Sequence, residues 1–156
     1  MNKEAAKELN RFLERPVPIF LHLAAAIGGE TPFGCRGYGF SNDPADGERL
    51  WVYVLRSQWQ RLRADVGQAL AVLLTAGVDN ESYQVKGTFV SSRAAGKEDA
   101  AKLERQLAYT ARYFPNLTPL LDVKTADLVA VCMIARDVFV QTPGPRAGSP
   151  LAERGE

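Results

Sequence analysis

From Ser82 the chain alternates: Tyr83, Val85 and Phe89 fall on one side, and Gln84, Lys86 and Thr88 on the other. A period of two belongs to a strand with one buried face. "QALAVLLTA" just before it, and Leu50 to Leu55, are apolar on both sides, as a central strand is. Asp127 to Val140 is a longer β-branched run of the same kind. "VPIFLHLAAAI" reads as a buried strand, although so short an apolar run also fits a helix. Gly34 to Ser41 reads as a strand interrupted by glycine, joined to Leu50–Leu55 through the hairpin signal Asp46–Gly47.

Three stretches carry the helical period instead. Lys3 to Arg15 repeats apolar residues at Ala5, Leu9, Phe12 and Leu13, and Pro16 ends it. Ser57 is placed to cap a short helix with Trp59, Leu62 and Val66 inward, closed by Gly67. Lys97 to Phe114 is the longest, with Ala100, Leu103, Leu107, Ala111 and Phe114 as its expected buried stripe. The pattern therefore predicts six strands and three helices. Short connections favour antiparallel pairing, and closure into a barrel hides the sheet edges.

Composition narrows this only a little. The 156 residues are 46% hydrophobic and 24% charged, an ordinary globular balance for one domain. That domain is expected over residues 1–148, with 149–156 a flexible tail. The 19 basic and 18 acidic residues leave a net charge of +1, which argues against nucleic acid as a partner. No apolar run reaches the roughly 18 residues that span a bilayer, and the first residues lack the apolar core of a signal peptide. Cys35 and Cys132 are too few and too far apart for a disulfide framework or a metal site. A cytoplasmic protein without membrane partners is expected.

Candidate chemistry is sparse. The single histidine, His22, sits between two leucines and reads as a packed residue. "GCRGYG" lacks the dinucleotide fingerprint, so its glycines mark either a bulge or a close ligand. "VLRSQWQRLRAD" places Arg56, Ser57, Gln58 and Arg61 at a strand end and the helix start after it. Guanidinium and hydroxyl donors there suit an anion such as phosphate; an ordinary cap with solvated arginines is the plainer alternative. Lys86 lies on a polar strand face that meets solvent, a pocket or a second subunit. "QTPGPRAG" ends the last strand in a stiff turn that carries Arg146, either a structural turn or one that lies across a cleft or a partner.

In order, "CRGYGFSNDPADGERLWVYVLRSQWQRL", "ALAVLL", "SYQVKGTF" and "QTPGPRAG" resemble the pyridoxamine 5'-phosphate oxidase-like, FMN-binding split-barrel proteins. The resemblance covers roughly residues 16–148. It implies a mainly β fold with flanking helices: a six-stranded antiparallel split β-barrel that forms a homodimer and binds FMN in the dimer clefts. Arg36, Arg56, Ser57 and Arg61 match positions that hold the flavin phosphate, and Gln58 stands where a phosphate-binding lysine is common. Ser82 and Lys86 match the strand beside the isoalloxazine ring, and Arg146 is expected near an anionic ligand or a partner carboxylate. The Arg–Trp and Arg–Leu pairs with which the oxidases hold pyridoxal phosphate have no counterpart here. An FMN-dependent oxidoreductase acting on a small molecule is the expected function. The alternatives are a flavin or haem carrier or sensor, a deazaflavin-binding relative, and a structural dimer without cofactor.

Overall fold

The computed structural model describes residues 1–25, 32–42, 46–62 and 64–152. Helix α1 (Lys3–Leu13) precedes strands β1 (Ile19–Ala25), β2 (Phe33–Asn42) and β3 (Arg49–Leu55). Helix α2 (Arg56–Leu62), strands β4 (Ala69–Ala76) and β5 (Ser82–Ala94), helices α3 (Lys97–Tyr113) and α4 (Thr118–Leu121), and strand β6 (Leu128–Val140) complete the order. The strands close into a barrel in the order β1-β2-β3-β6-β5-β4, each pair antiparallel. Closure gives every strand two neighbours, so the long apolar strands leave no open edge. The end of the "VPIFLHLAAAI" run, beyond Ala25, and the start of the β2–β3 hairpin turn, at 43–45, lie outside the described residues.

Period-two burial builds the core. Leu21 and Leu23, Val52 and Val54, and Val72 and Leu74 all point inward and are buried. Helix α1 closes one end of the barrel: Leu9, Phe12 and Leu13 join the core, and the Phe12 ring meets Tyr83 edge-on at 4.9 Å. The Asn2 side chain caps α1 by accepting the Glu4 N–H at 2.8 Å. Helix α2 covers the opposite end, where buried Leu62 joins the core and Trp59 lies 5.0 Å from Phe89.

Helix α2 differs from its expected form. It begins at Arg56, so Ser57 sits in the first turn and is not the cap. It ends at Leu62, not at Gly67, and Val66 is 75% exposed. Pairing with β5 takes over: the Gly67 N–H donates to the Phe89 carbonyl at 2.8 Å, and the Phe89 N–H donates to the Gln68 carbonyl at 2.8 Å. Gly67 holds φ at 88°, a conformation that glycine adopts without a Cβ penalty.

Helix α3 is also rotated from its expected packing. Its buried residues are Asp99 and Thr110, whereas Ala100, Leu103 and Leu107 are half-buried and Ala111 is exposed. The inward stripe is Asp99, Leu103, Gln106 and Thr110, at spacings of four, three and four. Three of the four are polar, so hydrophobic periodicity missed it. Asp99 accepts from the Tyr53 hydroxyl at 2.7 Å, from Arg93 at 2.6 and 3.0 Å, and from the Gly96 N–H at 2.8 Å. Those donors, Arg93 foremost, hold the Asp99 carboxyl well below the usual carboxylate range. The Gln106 amide clasps the Phe40 backbone, accepting its N–H at 3.1 Å and donating to its carbonyl at 3.2 Å.

One glycine of "GCRGYG", Gly39, serves this contact. The β2–β3 register slips between Gly37 and Gly39, as the bulge reading expected. A Cβ on Gly39 would collide with Gln106 and Leu103, so the close neighbour at Gly39 is α3. Helix α4, a single turn between α3 and β6, brings the described α-helices to four where three were expected. Residues 149–152, read from sequence as the start of a flexible tail, lie along β6: the Val140 N–H donates to Ser149 at 2.9 Å and the Leu151 N–H to Val138 at 2.8 Å. Residues 153–156 lie outside the described residues. No described helix is long and apolar enough to cross a membrane.

The outer wall of the barrel has two halves. Helix α3 and the turns after it cover β2, β3 and the start of β6, burying Tyr53, Leu128 and Ala130. Among the described residues nothing covers the outer side of β1 past Phe20, of β4 and of the middle of β5, where His22, Ala24, Leu73 and Lys86 are exposed.

Candidate functional site

Pairing register maps this open face. One row runs Arg36, His22, Leu73, Gln84 and Phe139 across β2, β1, β4, β5 and β6. The next runs Gly34, Ala24, Ala71, Lys86 and Asp137. Directly opposed residues in such rows lie about 5 Å apart. The centre is small and flat, with Ala24, Ala71 and Leu73, and Leu73 is 38% exposed. The rim is cationic, with Arg36 on one side and Lys86 on the other. The Lys86 ammonium stands 4.8 Å over the Phe139 ring.

His22 is exposed at the middle of this face, which corrects its expected packed position. Period two in "IFLHLAA" sends Leu21 and Leu23 inward and His22 outward with Phe20 and Ala24, so the signal was there to read. Partial burial lowers its pKa, and the neighbouring Arg36 guanidinium lowers it further.

Of the expected phosphate ligands, Arg56, Ser57, Gln58 and Arg61 lie on α2 at one end of the barrel, and Arg36 lies on β2 beside the hollow under α4. Arg56 donates to the Ala126 carbonyl at 3.0 Å and is otherwise exposed. Arg61 lies 4.8 Å over the Phe33 ring at the start of β2. Ser57 is exposed and Gln58 half-buried on the same helix. Arg56 and Arg61 have no carboxylate partner among the described residues, and the Ser57 hydroxyl has no hydrogen bond there.

No family model and no curated protein matches the chain. Solved structures do. HupZ of Group A Streptococcus is 12% identical, with 95% of this chain and 99% of that chain covered, at a TM-score of 0.51. A further structure, 18% identical over 91% of this chain and 88% of its own, has a TM-score of 0.54. A protein of the pyridoxinephosphate oxidase family from Clostridium acetobutylicum, related to general stress protein 26, is 14% identical over 92% of each chain, at 0.48. At these identities the likeness shows the fold alone, a closed six-stranded antiparallel β-barrel with flanking helices.

Two expected site residues stand at the other end of the barrel. Ser82 is buried, and its hydroxyl is engaged with Thr75 at 3.0 Å and the Asn80 carbonyl at 2.9 Å. The Ser82 N–H donates to the Thr142 hydroxyl at 2.9 Å, tying β5 to the closing turn. Arg146 rises from that turn, with its guanidinium 3.4 Å from the Leu151 carbonyl. It borders a hollow of about 980 Å³ between α1 and the β4–β5 hairpin. There Arg11 pairs with Glu8 and Glu81, and Arg15 with Asp79 and Glu81. Glu81 also accepts from the Tyr83 hydroxyl at 3.0 Å; burial first, and then Glu81, push that phenol up to about 12. Cations and acids balance in this hollow, so it lacks the charge bias of the open face.

Proposed function

We propose that this split barrel is a homodimeric FMN-binding oxidoreductase whose two copies meet across the open face. The uncovered face, edged by Arg36 and Lys86, and the α2 arginines Arg56 and Arg61, which have no carboxylate partner among the described residues, carry this reading. The donor set fits the group: Arg56, Arg61 and the Ser57 hydroxyl suit a phosphate dianion, and Gln58 adds an amide. Ala24, Ala71 and Gly34 leave room for a planar ring, and Lys86 offers a cation at its edge. A second copy laid over Leu73 would exclude water from the ring. Bound flavin supplies the hydride or electron chemistry; the chain's residues bind, orient and desolvate.

The test is direct. The purified protein, titrated with FMN, is expected to turn yellow, to quench flavin fluorescence and to run as a dimer in light scattering. Bleaching by a nicotinamide donor then marks an oxidoreductase. A colourless monomer that ignores FMN would overturn the proposal.

One observation favours a second reading, a haem carrier or sensor on the same face. His22 presents an exposed imidazole at its centre, a common axial ligand. A Soret band on adding haemin, lost in His22→Ala, would select that reading over the first.

A further inference from the structure

Helix α3 leaves its apolar residues half-covered, and the space beside them is hollow. A chamber of about 260 Å³ lies between α3 and the barrel wall, with Leu103 and Leu107 above and Gly37 and Leu128 below. A second of about 300 Å³ opens beside it under α4, walled by Leu117 and Leu120. Phe20, Tyr38 and Leu121 border both, so the two form one bent groove. Its size approaches the roughly 300–1,000 Å³ of small-molecule sites. Leu120 stands at the outer lip, 71% exposed, an unusual position for leucine unless something apolar joins it.

Charge gives the groove a direction. Arg36 lines the outer chamber, and among the described residues it has no carboxylate partner and no hydrogen bond. The inner chamber carries Glu104 and Asp122, with Lys124, at its polar margin. An anionic head is therefore favoured at the outer lip and disfavoured at the inner end. A molecule with two anionic ends meets repulsion at one of them.

We infer that this groove binds a small, mostly apolar molecule bearing one anionic group, with its head on Arg36 and its apolar body under α3. The site uses none of Arg56, Ser57 and Arg61, and it stands whether or not FMN binds. Next to the open face, it places such a ligand beside whatever occupies that face. Arg36, matched by sequence to the flavin phosphate and standing beside His22 at the edge of the open face, also lines the chamber under α4.

Decanoate and 1-decanol, an anion and a neutral molecule of equal length, serve as probes in calorimetric titration of the full chain. Decanoate is expected to bind about tenfold tighter than decanol. Arg36→Gln is expected to erase that difference. Leu107→Trp, which fills the inner chamber, is expected to weaken both probes at least about tenfold, with an unchanged melting curve. Ala100→Phe replaces it if that variant does not fold. Equal binding of the two probes by the native chain, or unchanged decanoate affinity in Arg36→Gln, overturns the inference. So does light scattering in which Leu107→Trp alters self-association, because a second copy would then be the occupant. FMN absorbance read on the same samples keeps the two proposals apart: probe binding without flavin uptake counts only against the flavin.

Discussion

The two halves of the barrel wall are made from the same alternating strands and end differently. On the α3 side, outward residues are satisfied: buried Tyr53 and exposed Arg93 both donate to Asp99, and Gln106 binds the Phe40 backbone. Arg93 also lies 4.9 Å over the Trp51 ring. On the open side the outward residues include the small Ala24 and Ala71; among the described residues Arg36 and His22 face no acid, and Lys86 stands opposite Asp137. A wall that spends its polar groups on itself is structural. A wall that leaves them unspent is available to a ligand or a second copy.

The contrast is sharpest on the covered side. Asp99→Ala strands the Tyr53 hydroxyl and leaves Arg93 without its buried partner. It should cost on the order of 2–4 kcal/mol in urea unfolding. Lys86→Ala on the open side should stay within about 0.5 kcal/mol. Equal costs would erase the distinction between the halves. Because the Asp99 pKa is lowered in the fold, its stabilisation is present above the ordinary carboxylate range and is lost as pH falls below it. Asp99→Asn should flatten that acid limb in an unfolding series.

Ligand binding comes next in size. Arg56→Ala with Arg61→Ala is expected to weaken FMN about a hundredfold in a fluorescence titration, with the melting temperature nearly unchanged. Retained affinity would move the phosphate elsewhere on the wall. Leu73→Arg tests the face as a meeting surface: a new charge at its centre should shift the dimer to monomer in light scattering, with little change in monomer unfolding. A monomeric native protein would remove the need for that face to be covered.

The smallest effect concerns His22. Its folded pKa is lowered, by burial first and then by Arg36, so the neutral ring is favoured in the fold. Its contribution is present above the ordinary imidazole range and fades as pH falls through the folded value. The urea midpoint should drop slightly between pH 7 and pH 5, and His22→Gln should remove that drop. A dimer covering the face would enlarge it, because a second desolvation is added.

Much of the barrel could be read along the chain. Tyr83, Val85 and Phe89 alternate as β5 does, and the inward side chains of β1 and β4 do the same. Helices α2 and α3 were harder for different reasons. In α2 a backbone pairing between Gly67 and Phe89 stops the helix early, and only the distant strand supplies that partner. In α3 the buried stripe carries Asp99, Gln106 and Thr110, polar residues that become inward-facing only because Tyr53 and Phe40 wait across the gap. The candidate site divides in the same way. Arg56, Ser57, Gln58 and Arg61 are neighbours in sequence and stay together, whereas Ser82 and Arg146 fall at the opposite end of the barrel.

The order of residues alone determined the strands, their antiparallel closure and the cluster of donors on α2. Those depend on periods of two and on local spacing, which hold wherever the segment lies. Which side of the barrel is covered, where Arg36 points and what the glycines of β2 make room for were decided by tertiary structure. Each depends on α3 crossing one wall and not the other, through contacts such as Tyr53–Asp99 and Phe40–Gln106, 46 and 66 residues apart, that no local pattern records.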